Sequence, residues 1–150
     1  MTGLKGYLLL VLFLIFVVVF FVRAVMIFIN HRSNMKYREV ISNEPPIFIL
    51  NSKVALHQPW GYMPMKGGDN GELEITVREH HLQVSLPPRY YGKVPGAEYY
   101  IDTKGMTLDA DKLSIVVTGN DRNKTRKLLI RSGIHTNELL NVLNTVVRSK

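Results

Sequence analysis

The sequence predicts an α+β protein, mainly β, in which an N-terminal transmembrane helix precedes a small antiparallel β-sheet or barrel capped by a C-terminal amphipathic helix. Three observations carry this. From Tyr7 to Ile29, 22 of 23 residues are apolar. From Leu73 to Leu86 apolar residues alternate with polar ones, and from Leu139 to Val147 they recur every three or four positions. The chain then divides into a short tail at 1–5, a transmembrane helix at 6–29, a basic juxtamembrane linker at 30–45 and a β-rich domain at 46–150.

The helix comes first. Gly6 to Val22 is uncharged and rich in Leu, Val and Phe, and Ala24 to Ile29 extends it past Arg23. About 20 helical residues cross a hydrocarbon core of roughly 30 Å. Arg23 lies near one edge, where its long stem lets the guanidinium reach the headgroups. A cleaved signal peptide is the rival reading. It needs a shorter apolar stretch ending in a small-x-small site, whereas this run continues into Phe20-Phe21-Val22-Arg23, so an uncleaved anchor is expected.

The flanks set the orientation. Lys5 stands on the N-terminal side, and Arg23, Arg32, Lys36 and Arg38, opposed by Glu39, stand on the other. The larger Lys/Arg count belongs in the cytoplasm. The expected protein therefore sits in the cell membrane in a single pass, N-terminus outside and domain inside. The same cations suit anionic lipid, each contributing about 1 kcal/mol near the surface, or serve as a topology signal alone.

Composition bounds the rest. Outside the apolar run, the other 127 residues are 37% apolar, an ordinary soluble share. About 105 residues suit one domain with one core. With no cysteine, disulfides, thiolate metal sites and cysteine nucleophiles are excluded. The net charge of +7 divides into +3 up to Glu44 and +4 beyond it, too little to argue for nucleic acid.

The soluble elements follow in order. Asn30 to Pro46 reads as a polar linker or helix extension, closed by Glu44-Pro45-Pro46, which cannot continue a helix. Pro46 to Ala55, with Ile47-Phe48-Ile49-Leu50, is strand-like. A Pro/Gly/Met loop spans His57 to Met65 and ends in Gly67-Gly68-Asp69-Asn70-Gly71. Leu73, Ile75 and Val77, then Leu82, Val84 and Leu86, alternate with polar residues on either side of Arg78-Glu79-His80-His81, the pattern of a hairpin with one face in the core. Glu98 to Ile101 is another strand. Lys112–Thr118 and Thr125–Arg131 form a second hairpin, with Gly119-Asn120-Asp121 as turn residues. Leu139, Leu140, Leu143, Val146 and Val147 then mark the helix, with Thr136 as its N-cap, Glu138 in its first turn and Arg148 in its last.

Gly71 to Val77, Leu82 to Leu86, Glu98 to Asp102, Lys127 to Arg131 and His135 to Leu143 together resemble a pleckstrin-homology-like (PH-like) domain in its bacterial membrane-tethered form. The resemblance covers roughly 46–149 and departs in the Pro/Tyr loop from Pro87 to Gly96. It implies a curled sheet plugged by the helix, and an interaction module. The first thirty residues also resemble the processed end of type IV pilin-like proteins, through Lys5-Gly6 before Tyr7. Those carry a glutamate five residues into the mature chain, where this chain has Val11.

Several clusters are candidate sites. Arg122, Lys124, Arg126, Lys127 and Arg131 crowd the second hairpin and suit phospholipid headgroups or an acidic protein. The competing reading is a solvated strand edge guarded by cations. Alternation puts Arg126 with Leu128 and Ile130 on one face, and Lys127 with Leu129 and Arg131 on the other. Trp60 and Tyr62, with Met63 and Met65, form an apolar loop suited to a partner or the bilayer, and Tyr90, Tyr91, Tyr99 and Tyr100 are a second aromatic group; both also suit a core. His80 and His81 are neighbours that a strand would send to opposite faces unless a turn bends them together, so they read as ordinary turn histidines and no metal is expected there. Asp109-Ala-Asp111 lacks the glycine and glutamate of a calcium loop and reads as a turn. Asn123-Lys124-Thr125 fits a glycosylation sequon that the expected cytoplasmic side excludes. Ser52, Ser85 and Ser114 lack a nucleophile-elbow context, and Gly67-Gly68 lacks the Lys-Ser/Thr of a phosphate loop.

The functional expectation is a non-enzymatic, cofactor-free interaction or scaffold protein within a membrane assembly. Its partners would be membrane lipids through the anchor and an unidentified membrane or cytoplasmic protein, with oligomerisation open and no nucleic acid. The alternatives are a minor pilin-like or secretion-apparatus subunit with the domain outside, and an anionic-lipid-binding module.

Overall fold

The computed structural model describes residues 2–90 and 98–148 and divides into two compact units, Met1–Glu39 and Val40–Lys150. Helix α1 spans Thr2–Ser42, so the basic stretch after Ile29 continues the helix for three more turns. At 1.5 Å per residue its 41 residues run about 60 Å. From Leu4 to Ile29 its large apolar side chains are mostly exposed, and its most apolar window has a mean hydropathy of 3.2. Among the described residues this is one helix long and apolar enough to cross a membrane, properties that a signal sequence near an N-terminus shares. Glu44-Pro45-Pro46 ends the segment as expected, since neither proline can donate an amide.

The second unit is an eight-stranded antiparallel sheet and one helix. Its strands are β1 (Phe48–Gln58), β2 (Gly61–Pro64), β3 (Leu73–Val77), β4 (His81–Ser85), β5 (Tyr99–Asp102), β6 (Thr107–Ala110), β7 (Ile115–Asp121) and β8 (Lys124–Arg131). Helix α2 spans Thr136–Arg148. The pairings β1–β3–β4–β5–β7–β8 return to β1 and close a six-stranded ring, with β2 hung on β1 and β6 on β7. Closure protects strand edges from adding a foreign strand. The ring is uneven: β7 and β8 register over seven pairs, whereas β5 meets β7 only where Ile101 faces Asp121.

Alternation fills the interior. Leu73, Ile75, Val77, Leu82, Val84, Ile101, Ile115, Val117, Leu128 and Ile130 are all fully buried there. Leu139, Leu143 and Val146, spaced four and three apart, give α2 one apolar face that joins the same core. The mainly-β α+β layout expected from the sequence is the one observed.

Four details differ from the sequence reading. The loop from His57 to Met65 is a hairpin, because β1 runs on to Gln58 and pairs with β2 around Pro59-Trp60. Thr107–Ala110 adds β6, a strand too short and too exposed to show periodicity. Gly119-Asn120-Asp121 belong to β7; the chain reverses at Arg122-Asn123, both at positive φ (46° and 70°) as a two-residue hairpin turn demands. Thr136 is not an N-cap. It lies within a continuous helical path from the preceding 3-10 turn, where its hydroxyl donates back to the Gly133 carbonyl at 2.7 Å. That commits its one proton, so Ser132 is the donor in their 2.8 Å contact.

Candidate functional site

The basic hairpin is built around a buried acid. The turn at Arg122-Asn123 brings the Asp121 carboxylate inward, leaving it 2% exposed beside three donors. Arg122 Nε donates to Oδ1 at 3.0 Å, the Tyr100 amide approaches the same oxygen at 3.4 Å, and Arg126 Nε lies 3.8 Å from Oδ2. Arg122 also donates to the Glu98 carbonyl at 3.1 Å. Each guanidinium stacks on a ring, Arg122 over Tyr100 at 5.5 Å and Arg126 over Tyr99 at 5.3 Å. Burial pushes the Tyr99 phenol above its usual value despite the opposing Arg126 charge.

The five cations singled out from the sequence therefore separate. Arg122 and Arg126 hold the hairpin to β5. Lys124, Lys127 and Arg131 are exposed and make no ion pair among the described residues. Nor is the hairpin a simple edge: Leu128 to Ile130 pair with β1 on one side and β7 on the other, Arg131 pairs with β1, and only Lys124 to Lys127 are left unpaired on the β1 side. Register places Lys53 of β1 directly opposite Arg131, adding a cation that the sequence reading had not joined to this group. Like charges in cross-strand register repel, so this position favours a negatively charged neighbour.

Apolar side chains surround the cationic face. Leu113, before β7, and Ile134, in the turn before α2, are strongly exposed. A depression of about 390 Å³ next to them is lined by Leu113, Ser114, Leu129, Arg131 and Gly133. Periodicity could not single out Leu113 or Ile134, since each sits in a turn. At the β1–β2 tip Trp60 is 77% exposed, its indole N–H pointing to Met63 Sδ at 3.2 Å, while Tyr62 packs edge-on against His57. The second aromatic group goes mostly inward: Tyr100 is buried, Tyr90 and Tyr99 are half-buried against the core, and Tyr91 lies outside the described residues.

The histidine pair departs from expectation. The chain turns at Arg78–His80, and both imidazoles reach one carboxylate: Glu44 Oε1 is 2.9 Å from His80 Nδ1 and Oε2 is 3.1 Å from His81 Nδ1. Alternation between faces holds only inside a strand, and His80 precedes β4. Burial pushes the Glu44 carboxyl up, but hydrogen bonds from the His81 ring, the His80 amide and the His80 ring outweigh it and hold the carboxyl below its usual value.

The serines take structural bonds. Ser52 Oγ donates across the ladder to the Arg131 carbonyl at 2.6 Å, and Ser85 Oγ receives the Gln83 amide at 3.3 Å. Asp109 lies within β6 rather than in a turn, while Asp111 closes the turn that follows, its amide donating to the Ser114 carbonyl at 2.9 Å.

No family model matches the chain, and no curated protein does. Among solved structures it is similar to the PH domain of human oxysterol binding protein-related protein 11, with a TM-score of 0.43 and 9% identity over 68% of this chain and 82% of that one. None of the residues above takes its role from that likeness.

Proposed function

We propose that the chain is a single-pass membrane protein that presents a PH-like interaction module at the cytoplasmic face of the cell membrane, as a scaffold component of a membrane assembly. The observation that carries it is α1: a long helix with its apolar side chains exposed is unfavourable in water and satisfied in lipid. The cations Arg23, Arg32, Lys36 and Arg38 support the inward placement of the domain. The module's exposed chemistry suits contact with another macromolecule: Leu113, Ile134 and Leu129 supply apolar surface, and Arg131 a charged border.

Protease treatment of intact spheroplasts tests the topology. The domain is expected to survive until the membrane is permeabilised. Loss of the domain from intact spheroplasts would sink the inward reading and favour the pilin-like or secretion-apparatus topology. A pull-down with the anchor intact then tests the partner surface, with I134D expected to lose what the wild type retains.

A second reading, binding of anionic lipid, is favoured by the Lys53–Arg131 register with Lys127 on the same outer face. The double variant K127E/R131E should lose binding to anionic vesicles while melting like the wild type. Unchanged binding removes the reading.

A further inference from the structure

The Glu44–His80–His81 contact joins two places 36 residues apart, and a third ligand-type group stands beside it. Glu44 lies just past the end of α1, where its amide donates to the Ile41 carbonyl at 2.9 Å. The Arg78 guanidinium donates to the Glu44 carbonyl, and the His80 amide donates to Glu44 Oε1. Glu44 is thus held both at its main chain and at its carboxylate. The turn carrying the histidines is fixed in turn: the Arg78 amide donates to the His81 carbonyl at 2.8 Å, and the Thr103 amide to the His80 carbonyl at 2.9 Å.

Onto this frame Glu79 brings a second carboxylate, 3.9 Å from His80 Nδ1. One donor atom each from Glu44, Glu79 and His80 lies within 4.8 Å of the others. Ligand atoms about 2.0–2.2 Å from a tetrahedral zinc sit about 3.3–3.6 Å apart. Two of the three separations, 2.9 Å and 3.9 Å, bracket that range and the third, between the carboxylates, lies within 4.8 Å, so closing on an ion takes rotation of the exposed Glu79 and His80 side chains. Two carboxylates also provide the negative charge that a dication needs, while an imidazole nitrogen favours zinc-class ions over calcium or magnesium.

We propose that Glu44, Glu79 and His80 form a binding site for a divalent transition metal of the zinc class, with His81 holding the second oxygen of Glu44. Three protein donors leave a fourth position open to water or to a partner's side chain. The bound ion ties the segment leaving α1 to the β3–β4 turn, replacing a hydrogen bond between Glu44 and His80 with two metal bonds. Because the three ligands meet only in the folded domain, the ion binds that state preferentially and stabilises it increasingly as its free concentration rises above Kd.

The untagged full chain in detergent micelles tests this. It is titrated with Zn2+ by calorimetry and with Co2+ by visible absorption. The expected result is one equivalent, with the Co2+ spectrum of a four- or five-coordinate nitrogen–oxygen site. E79Q and H80Q should each weaken Zn2+ at least tenfold, and H81Q by about 10–100-fold through the freed Glu44 carboxylate. H135Q, at an exposed histidine beside Glu138, should bind like the wild type. Zn2+ should raise the Tm of the wild type and leave that of H80Q unchanged. Metal-free melts report whether each variant folds; if H80Q does not, E79Q decides, since its side chain is 68% exposed. Binding below one equivalent at millimolar Zn2+, or E79Q binding like the wild type, overturns the proposal.

Discussion

Arg122 Nε meets the Asp121 carboxylate at 3.0 Å between neighbouring residues, one ending a strand and the other opening a left-handed turn. A non-glycine side chain rarely adopts positive φ, and the ion pair, the Glu98 carbonyl and the Tyr100 ring together hold Arg122 there. Removing the acid takes a counter-charge from two guanidiniums. Loss of one partner of a fully buried pair costs about 3–5 kcal/mol. Both arginine side chains are 30% exposed, so D121N should cost less, about 2–3 kcal/mol, read from urea denaturation. A loss below about 0.5 kcal/mol, the size of an ordinary surface change, would show that the cluster is not structural.

Gly119 is buried in β7, and a Cβ built on it would lie 2.5 Å from Ile101 Cγ2. G119A therefore overpacks the ring at its sparsest joint, at a cost of about 1–3 kcal/mol. Adding I101A removes the colliding methyl. The double variant should lose less than the sum of the two single losses, and strict additivity would show that the two side chains do not meet.

The helix face gives a cleaner contrast. Leu143 is fully buried and Asn144, next to it, is not. L143A should cost about 2–5 kcal/mol, whereas N144A should stay within about 0.5 kcal/mol. Equal losses in thermal or urea melts would mean that α2 packs on another face.

Glu74 supplies the pH dependence. Burial raises its carboxyl above the ordinary 4.5, against the hydrogen bond from Thr76 and the charge of Arg78. An acid whose folded value is raised binds its proton more tightly when folded. Stability is therefore lost as pH climbs from 4.5 through the raised value, and the loss persists above it. E74Q should melt higher than the wild type at neutral pH, with the difference vanishing in acid. A difference that is constant from pH 3 to 8 would exclude the carboxyl as its cause.

What the sequence disclosed follows physical lines. Leu73 to Leu86 and Leu139 to Val147 were legible because each element has one face in the core, so burial writes its period into the residues. β2 and β6 have no such face: Thr107–Ala110 is largely exposed, and Gly61 and Pro64 bound a strand that only extends β1. The turn at Arg122-Asn123 lacks the glycine that announces a two-residue hairpin, and nearby Gly119 drew the reading three residues early. Glu44 looked like the end of a linker. Its two histidines lie 36 and 37 residues away, and only closure of the domain brings them together. Likewise, the five hairpin cations look equivalent in one dimension, and Asp121 sorts them in three.

The single registered pair between β5 and β7 has a dynamic consequence. Where neighbouring strands share four to seven pairs, separation breaks many bonds at once. Here the main chain contributes one pair, and much of the remainder is lent by side chains: Asp121 to the Tyr100 amide, and Arg122 to the Glu98 carbonyl. Native-state hydrogen exchange should find the lowest opening energy along this line, well below that of the β7–β8 amides. The ring is a clasped band rather than a welded one, and its clasp is the same arginine–aspartate cluster that marks the basic hairpin.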